Sequence, residues 1–406
     1  MNSFHRFLRI FATIAAAAAS SALQASDWPN WRGPNHNGIS TETGWKANWP
    51  ADGPRQLWKS SVGTGFSSIA VSQGRLYTMG NRENSDSLYC LDAETGKMIW
   101  KQSYTCPLDA DMFEGGPTAT PTVDGDRVYT FSRNGLVFCF DAEDGKICWT
   151  KNLPAATAAE PPTWGFASSP LIQGAALFLN VGASGIALDK MSGNIIWRSG
   201  GGAPGYATAV PCELGGKPAL VMLVRGQVLA VAPNSGHALW RFPWETEYDI
   251  NTTDPIINGD TVFVSSGYEH GAALLRIQSA RPDVVWQNTN MRNVINSSVL
   301  LDGFIYGVDG QAGHSATLKC VELKTGEVKW DFKGLGSGAL MAADNRLIVM
   351  SDQGELVVAP ASAQAFQPIS QAQVLGGKCW TTPVLANGRI YCRNARGDLV
   401  CLDVKG

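Results

Sequence analysis

The chain has 406 residues, 44% of them hydrophobic and only 17% charged, with 44 Gly and 21 Pro. Turn formers at this density point to many short strands and exclude coiled coils and long helical bundles. The formal charge of −3 becomes slightly more negative once the basic N-terminus is removed, so the electrostatic footprint of a nucleic-acid binder is missing and neither DNA nor RNA is expected as a partner.

In chain order, His5, Arg6 and Arg9 precede an apolar run over residues 11–19 and a stretch of small residues ending at Ala25. This is the pattern of a secretory signal peptide over residues 1–25, which predicts a periplasmic or secreted product. The run falls short of the roughly 18–20 apolar residues of a membrane span. No Cys lies near the cleavage point, so a lipoprotein anchor is not expected. Residues 26–54 form a leader whose Trp28, Trp31, Trp45 and Trp49 imply that it packs onto the rest of the chain.

Residues 55–406 are a repeat. Its clearest copies are Leu88-Tyr89-Cys90-Leu91-Asp92-Ala93-Glu94-Thr95-Gly96-Lys97-Met98-Ile99-Trp100 and the run from Val137 through Gly145 to Trp149. Trp58, Trp100, Trp149, Trp197, Trp240, Trp286 and Trp330 are spaced by 42, 49, 48, 43, 46 and 44 residues, a period that marks one structural unit with variable loops. In the unit at 116–150, strands are expected at 118–123, 127–132, 137–141 and 147–150. Asn134-Gly135 is expected to form a type I′ turn, and the Trp to close the outer strand and cap the gap between neighbouring units. A four-stranded sheet with two apolar faces needs neighbours on both sides, and eight copies meet that need by closing into a ring. The expected fold is an all-β, eight-bladed β-propeller in which the strand at 55–59 completes the last blade. The seventh copy lacks both the Thr-Gly turn and the Trp, and should be the least regular.

Of nine Cys, Cys90, Cys139, Cys320 and Cys401 share one repeat position with Ala187 and Ala230, which reads as a demand for a small buried side chain. A two-residue turn at Arg396-Gly397 would set Cys392 opposite Cys401, where a disulfide could form. Zinc spacings, a P-loop, a dinucleotide fingerprint and a Ser/His/Asp arrangement are all missing from the sequence, with His36, His237, His270 and His314 dispersed.

The run Leu91 to Trp100 resembles the docking motif of the pyrroloquinoline-quinone-like (PQQ-like) β-propeller repeat, over nearly all of residues 55–406. Trp28-Pro29-Asn30-Trp31-Arg32-Gly33-Pro34-Asn35 followed by Gly38-Ile39-Ser40 is similar to the lead segment of exported PQQ-like propellers of planctomycete-type bacteria. The resemblance implies the propeller but leaves function open, because the superfamily holds both quinoprotein dehydrogenases and the non-enzymatic BamB subunit of outer-membrane barrel assembly. The dehydrogenases carry a vicinal disulfide and a Glu, Asn and Asp calcium set, neither of which is recognisable here. BamB carries a lipoprotein Cys and no Trp-rich leader.

Candidate site residues fall on one face, where loops 104–116, 153–165, 243–253 and 287–297 are longest. They present Asp109, Asp111, Glu114, Glu160, Trp164, Trp244, Glu245, Glu247, Tyr248, Asn290, Arg292 and Asn293, a mixture suited to a protein partner or a sugar, or else ordinary solvated loops with the two Trp folded inward. Ser68, Thr120, Ser169, Asp254, Ser298 and Thr382 should line the channel. Asp254 is either a base or cation ligand, or a carboxylate bonded to backbone amides. Arg82, Arg133, Arg225 and Arg393 are candidates for a basic collar around an anion. The expectation is a non-catalytic binding or scaffold protein for a protein or envelope component, monomeric and without a cofactor. The alternatives are a dehydrogenase of alcohols or sugars using PQQ and calcium, and a carbohydrate-binding propeller.

Overall fold

The computed structural model describes residues 26–110, 113–278, 281–311 and 316–406, so the signal-peptide segment, Asp111 and His314 lie outside the described residues. Seven of its sheets have four strands and one has five, giving the eight blades of a β-propeller. Blade 1 consists of Ala70–Ser72, Arg75–Arg82, Ser85–Asp92 and Met98–Thr105, ordered from the axis outward. Blades 2 to 7 follow over 122–152, 171–198, 210–243, 256–288, 299–332 and 339–373. Blade 8 combines Val384–Ala386, Arg389–Arg393 and Asp398–Asp403 with Gln56–Ser61 as its outer strand, Trp58 lying opposite Cys401. The first propeller strand thus completes the last blade.

The apolar core lies between blades rather than along one axis. Tyr77, Met79, Cys90 and Trp100 of blade 1 pack on Val128, Phe138 and Phe140 of blade 2, each large side chain contributing about 1.5–3 kcal/mol on burial. Six outer-strand Trp pair across to a Cys or Ala at the small repeat position: Trp58 with Cys401, Trp100 with Cys90, Trp149 with Cys139, Trp197 with Ala187, Trp240 with Ala230 and Trp330 with Cys320. Trp286 faces Leu274 instead, so the position prefers a small side chain without requiring one. The Trp lies near the beginning of its strand, not at its end as expected, beside a bulge such as the one between Cys90 and Leu91. The extra residue swings the ring toward the next blade.

Two hairpins differ from expectation for one shared reason. At Ser132–Leu136 only Gly135 has positive φ (86°) and Gly135 N–H bonds Ser132 O at 3.0 Å, so the loop has three residues and ends in a left-handed Gly instead of forming a type I′ turn. The same loop recurs at Asn394–Asp398, with Gly397 at φ 88°. Its additional residue shifts the register by one, pairing Tyr391 with Cys401 and Cys392 with Val400. Cys392 and Cys401 therefore face opposite sides of the sheet, and both are free thiols.

The leader crosses the face formed by the short turns, here called lower. Trp28 bridges Val71 of blade 1, and the Val123 N–H of blade 2 donates to Pro29 O of the leader. Ile39–Ser40 pairs in parallel with Ala339–Ala343, making blade 7 the five-stranded sheet. Buried Glu42 accepts the amides of Asn387 and Gly388 of blade 8. Among the described residues, no helix is long and apolar enough to cross a membrane.

Candidate functional site

The hydroxyl positions read from the repeat form a belt in the upper channel. The amide of Ser68 donates to Thr120 Oγ1, that of Thr120 to Ser169 Oγ, that of Ser169 to Thr208 Oγ1, that of Thr208 to Asp254 Oδ1, and that of Asp254 to Ser297 Oγ, at 2.8–3.1 Å. Blades 2 to 6 each accept a hydrogen bond from the one before, which satisfies inner-strand amides that have no further strand to pair with. Ser298 turns instead to Asn293 Oδ1 at 3.0 Å, and Thr382 Oγ1 to Asn296 Oδ1 at 3.4 Å.

Asp254, the one carboxylate of the belt, is taken up by the leader. Trp31 Nε1 donates to its Oδ2 at 2.6 Å, and Arg32 Nε stands 3.8 Å from the same oxygen while Arg32 Nη2 donates to Ser298 O at 2.7 Å. Burial pushes the Asp254 carboxyl up and the Arg32 guanidinium down, each opposed by the charge of the other. The leader thus enters the channel from below and neutralises the group that the sequence singled out.

The opposite end of the channel is its upper mouth. Phe66, Tyr206 and Trp380 each stand two residues before a belt residue. Phe66 stacks on Trp380 with ring centroids 5.7 Å apart and meets Phe113 at 5.8 Å, while Tyr206 meets Trp164 at 5.9 Å. Lys378 Nζ sits 4.2 Å from the Trp380 ring centroid and 2.8 Å from Glu114 Oε2. Phe66, Lys378 and Trp380 were missed in the sequence, although an aromatic recurring two positions before the Ser or Thr was a readable signal.

The loop candidates divide between surface and interior. Tyr248 is 62% exposed and meets Tyr268 edge-on at 5.4 Å, with Glu245 and Glu247 exposed beside it. Trp164 is half-buried. Trp244 is only 1% exposed, its Nε1 bonded to Ser266 Oγ at 2.9 Å, so it plugs the loop from within. Asn293 is buried, donating to Val308 O at 2.8 Å. Arg292 forks onto Asp309 at 3.0 and 3.0 Å and reaches Glu269 at 2.6 Å, and these bonds raise its pKa further.

The structure spreads the four collar arginines apart. Arg82 is exposed and bonds Ser61 Oγ at 2.7 Å, and Arg225 pairs with Asp249 at 2.8 Å. Arg133 is buried, tying loop 104–116 to loop 153–165 through Asp109 Oδ2 at 2.6 Å and Trp164 O at 3.3 Å. Arg393 is interior to blades 8 and 1, donating to the carbonyls of Ser67, Met79, Gly63 and Gly65 and to Thr78 Oγ1. Burial without a carboxylate lowers its pKa to about 10.

The family model described as "Outer membrane protein assembly factor BamB" matches residues 42–116 and 108–332, most of the chain. The chain belongs to the PQQ-like, BamB-type propeller family. BamB from Moraxella catarrhalis superposes with TM-score 0.64 at 17% identity, covering 86% of this chain and 99% of that one. Quinohemoprotein alcohol dehydrogenase from Comamonas testosteroni gives TM-score 0.71 at 12% identity, covering 96% and 82%. The computationally designed Ika8 protein gives 0.60 at 12%, covering 86% and 100%. Identities this low establish the shared fold alone. No curated protein sequence matches the chain.

Among the described residues, no three His, Cys, Asp or Glu side chains converge, and Asp254 is already held by Trp31 Nε1 and the Thr208 amide beside the Arg32 guanidinium.

Proposed function

We propose that this protein is an exported, non-catalytic propeller that binds a protein or envelope component through its upper mouth and the adjoining loops. One observation carries the reading: the leader occupies the lower channel and engages Asp254 through Trp31 and Arg32, so the belt offers no free base, while the other end presents partly exposed aromatics beside Lys378 and Glu114. Rigid rings on a preformed scaffold suit a partner surface, because they bury large area at little cost in conformational entropy. The BamB-type match supports an envelope setting, in line with the signal-peptide pattern.

The test has two arms. Envelope extract is passed over immobilised wild type and over a Trp380→Ala/Tyr248→Ala variant, with retained proteins quantified. Retention lost in the variant is expected, and equal retention counts against the mouth. In parallel, PQQ and calcium are added to the purified chain with alcohols or sugars and a redox dye. No substrate-dependent dye reduction is expected, and turnover would replace this reading with the dehydrogenase one.

A further inference from the structure

Blades 1 and 2 meet over an apolar seam that turns polar near the upper mouth. Met79 and Leu88 of blade 1 pack with Val128 and Phe138 of blade 2. Alternate residues of a strand share a face, so Asn81 and Asp86, each two positions further up, also look toward blade 2, and Thr130, two beyond Val128, looks toward blade 1. Asn81, Asp86 and Tyr104 stand directly opposite one another across three strands. Tyr104 stacks on Phe138, the cross-strand partner of Thr130, with centroids 4.6 Å apart. The four polar side chains therefore share one level of one gap.

Four oxygens of this group are shut away from solvent and have no partner among the described residues: Asn81 Oδ1, Asp86 Oδ2, Tyr104 Oη and Thr130 Oγ1. Asn81, Asp86 and Thr130 are 3%, 0% and 0% exposed. Asn81 Nδ2 donates to Asp86 Oδ1 at 2.7 Å and to Cys106 O at 2.9 Å, which leaves its Oδ1 as an acceptor and ties the group to the base of loop 104–116. Burial pushes the Asp86 carboxyl up, opposed in part by the Arg133 charge. That guanidinium is itself taken by Asp109 Oδ2 at 2.6 Å and by the carbonyls of Leu108 and Trp164 at 3.0 and 3.3 Å. Asp86 is thus a buried carboxylate without a cation in contact, and such a charge is costly unless it is balanced.

We propose that the gap holds one alkali cation, Na⁺ or K⁺, coordinated by Asp86 Oδ2, Asn81 Oδ1, Thr130 Oγ1 and Tyr104 Oη, with water completing its shell. An all-oxygen donor set selects a hard cation. Its single carboxylate selects a monovalent one, because a divalent ion would leave excess positive charge in the seam. Shell water accepts the two hydroxyl protons, so every orphaned group gains a partner. The ion clamps blade 1 to blade 2 beneath the loop that carries Phe113 and Glu114 to the mouth. The site lies inside the seam and stands independently of the function proposed above.

The test follows urea unfolding of the full chain at neutral pH and constant ionic strength while tetramethylammonium chloride, whose cation takes no oxygen ligands, is exchanged for NaCl or KCl. Na⁺ or K⁺ is expected to lower the unfolding constant saturably, about tenfold at ten times the half-saturation concentration, and the ion with the lower half-saturation concentration is the resident one. Hydrogen exchange at Cys106 and Leu108 should slow over the same range. Asp86→Asn, which keeps the shape and drops the charge, should unfold cooperatively with no ion-specific response. Thr130→Val, which removes one ligand oxygen, should raise the half-saturation concentration about fivefold. Equal responses to all three salts in wild type, the result for a protonated Asp86 bridged by water alone, overturn the proposal. So does an ion-specific response kept in Asp86→Asn, or a half-saturation concentration unchanged in Thr130→Val.

Discussion

The lower and upper ends of the channel are bounded by the same eight inner strands, yet they meet solvent differently. Below, the leader lays Trp28, Trp31, Arg32 and Glu42 across the ring and satisfies polar groups of blades 1, 2, 5, 6, 7 and 8 in turn. Above, no segment among the described residues crosses the ring as the leader does below, and Phe66 and Trp380 are partly exposed, with loops around them that leave exposed side chains such as Tyr248. The two ends of a ring of like blades already differ in the turns they carry, short below and long above, and the leader widens that difference by filling the lower end alone.

The comparison breaks most severely at Asp254. Arg32→Ala leaves a buried carboxylate with its cation removed and should cost about 3–5 kcal/mol, read as a fall in the urea midpoint. Asp254→Asn in the Arg32→Ala background should recover much of the loss, and a double-mutant cycle measures the coupling. Strict additivity of the two substitutions would contradict the ion pair.

A pH effect should come next. His36, in the leader, is shielded from water and stands near the Arg32 charge, which lower its pKa from 6.5 to about 4. The folded state thus holds a neutral imidazole, whose contribution is present above pH 6.5 and lost as pH falls through about 4. After allowance for its partial exposure the effect is about 1–2 kcal/mol. Hydrogen exchange of leader amides should rise across that window in wild type and much less in His36→Gln.

The tryptophan series gives a smaller contrast. Trp100→Phe deletes the bond to Ala142 O and should cost about 1 kcal/mol or more. Trp240→Phe removes an N–H that has no acceptor among the described residues and should come out clearly milder in the same denaturation series. Equal losses would mean that the indole nitrogens contribute nothing distinctive. Smallest of all is Tyr248→Ala on the open face, where stability should change by less than about 0.5 kcal/mol, separating a recognition role from a structural one.

How much of this was readable depends on whether a residue's partner recurs with the period. Gly turns and Trp spacing prescribe the blades, and the Cys/Ala position foretold a tight contact that proved to be the facing Trp. The belt followed from Ser68, Thr120, Ser169 and Asp254 sharing one repeat position. Trp31 and Asp254, by contrast, are 223 residues apart and belong to no shared pattern, so neither the insertion of the leader nor the neutralisation of Asp254 was visible. Trp244 could have pointed either way, because a loop Trp finds its side only when the loop folds. The Cys392 register rested on a single loop residue at Ala395, which composition does not specify.

The most direct test of the central claim places a photo-crosslinking amino acid at Tyr248 on the open face, and in a second protein at exposed Met191 on the face of the short turns. Each is irradiated in envelope extract and resolved by gel and mass spectrometry. The account predicts a discrete adduct from position 248 and none from position 191. The same partner captured from 191 and not from 248 would contradict it.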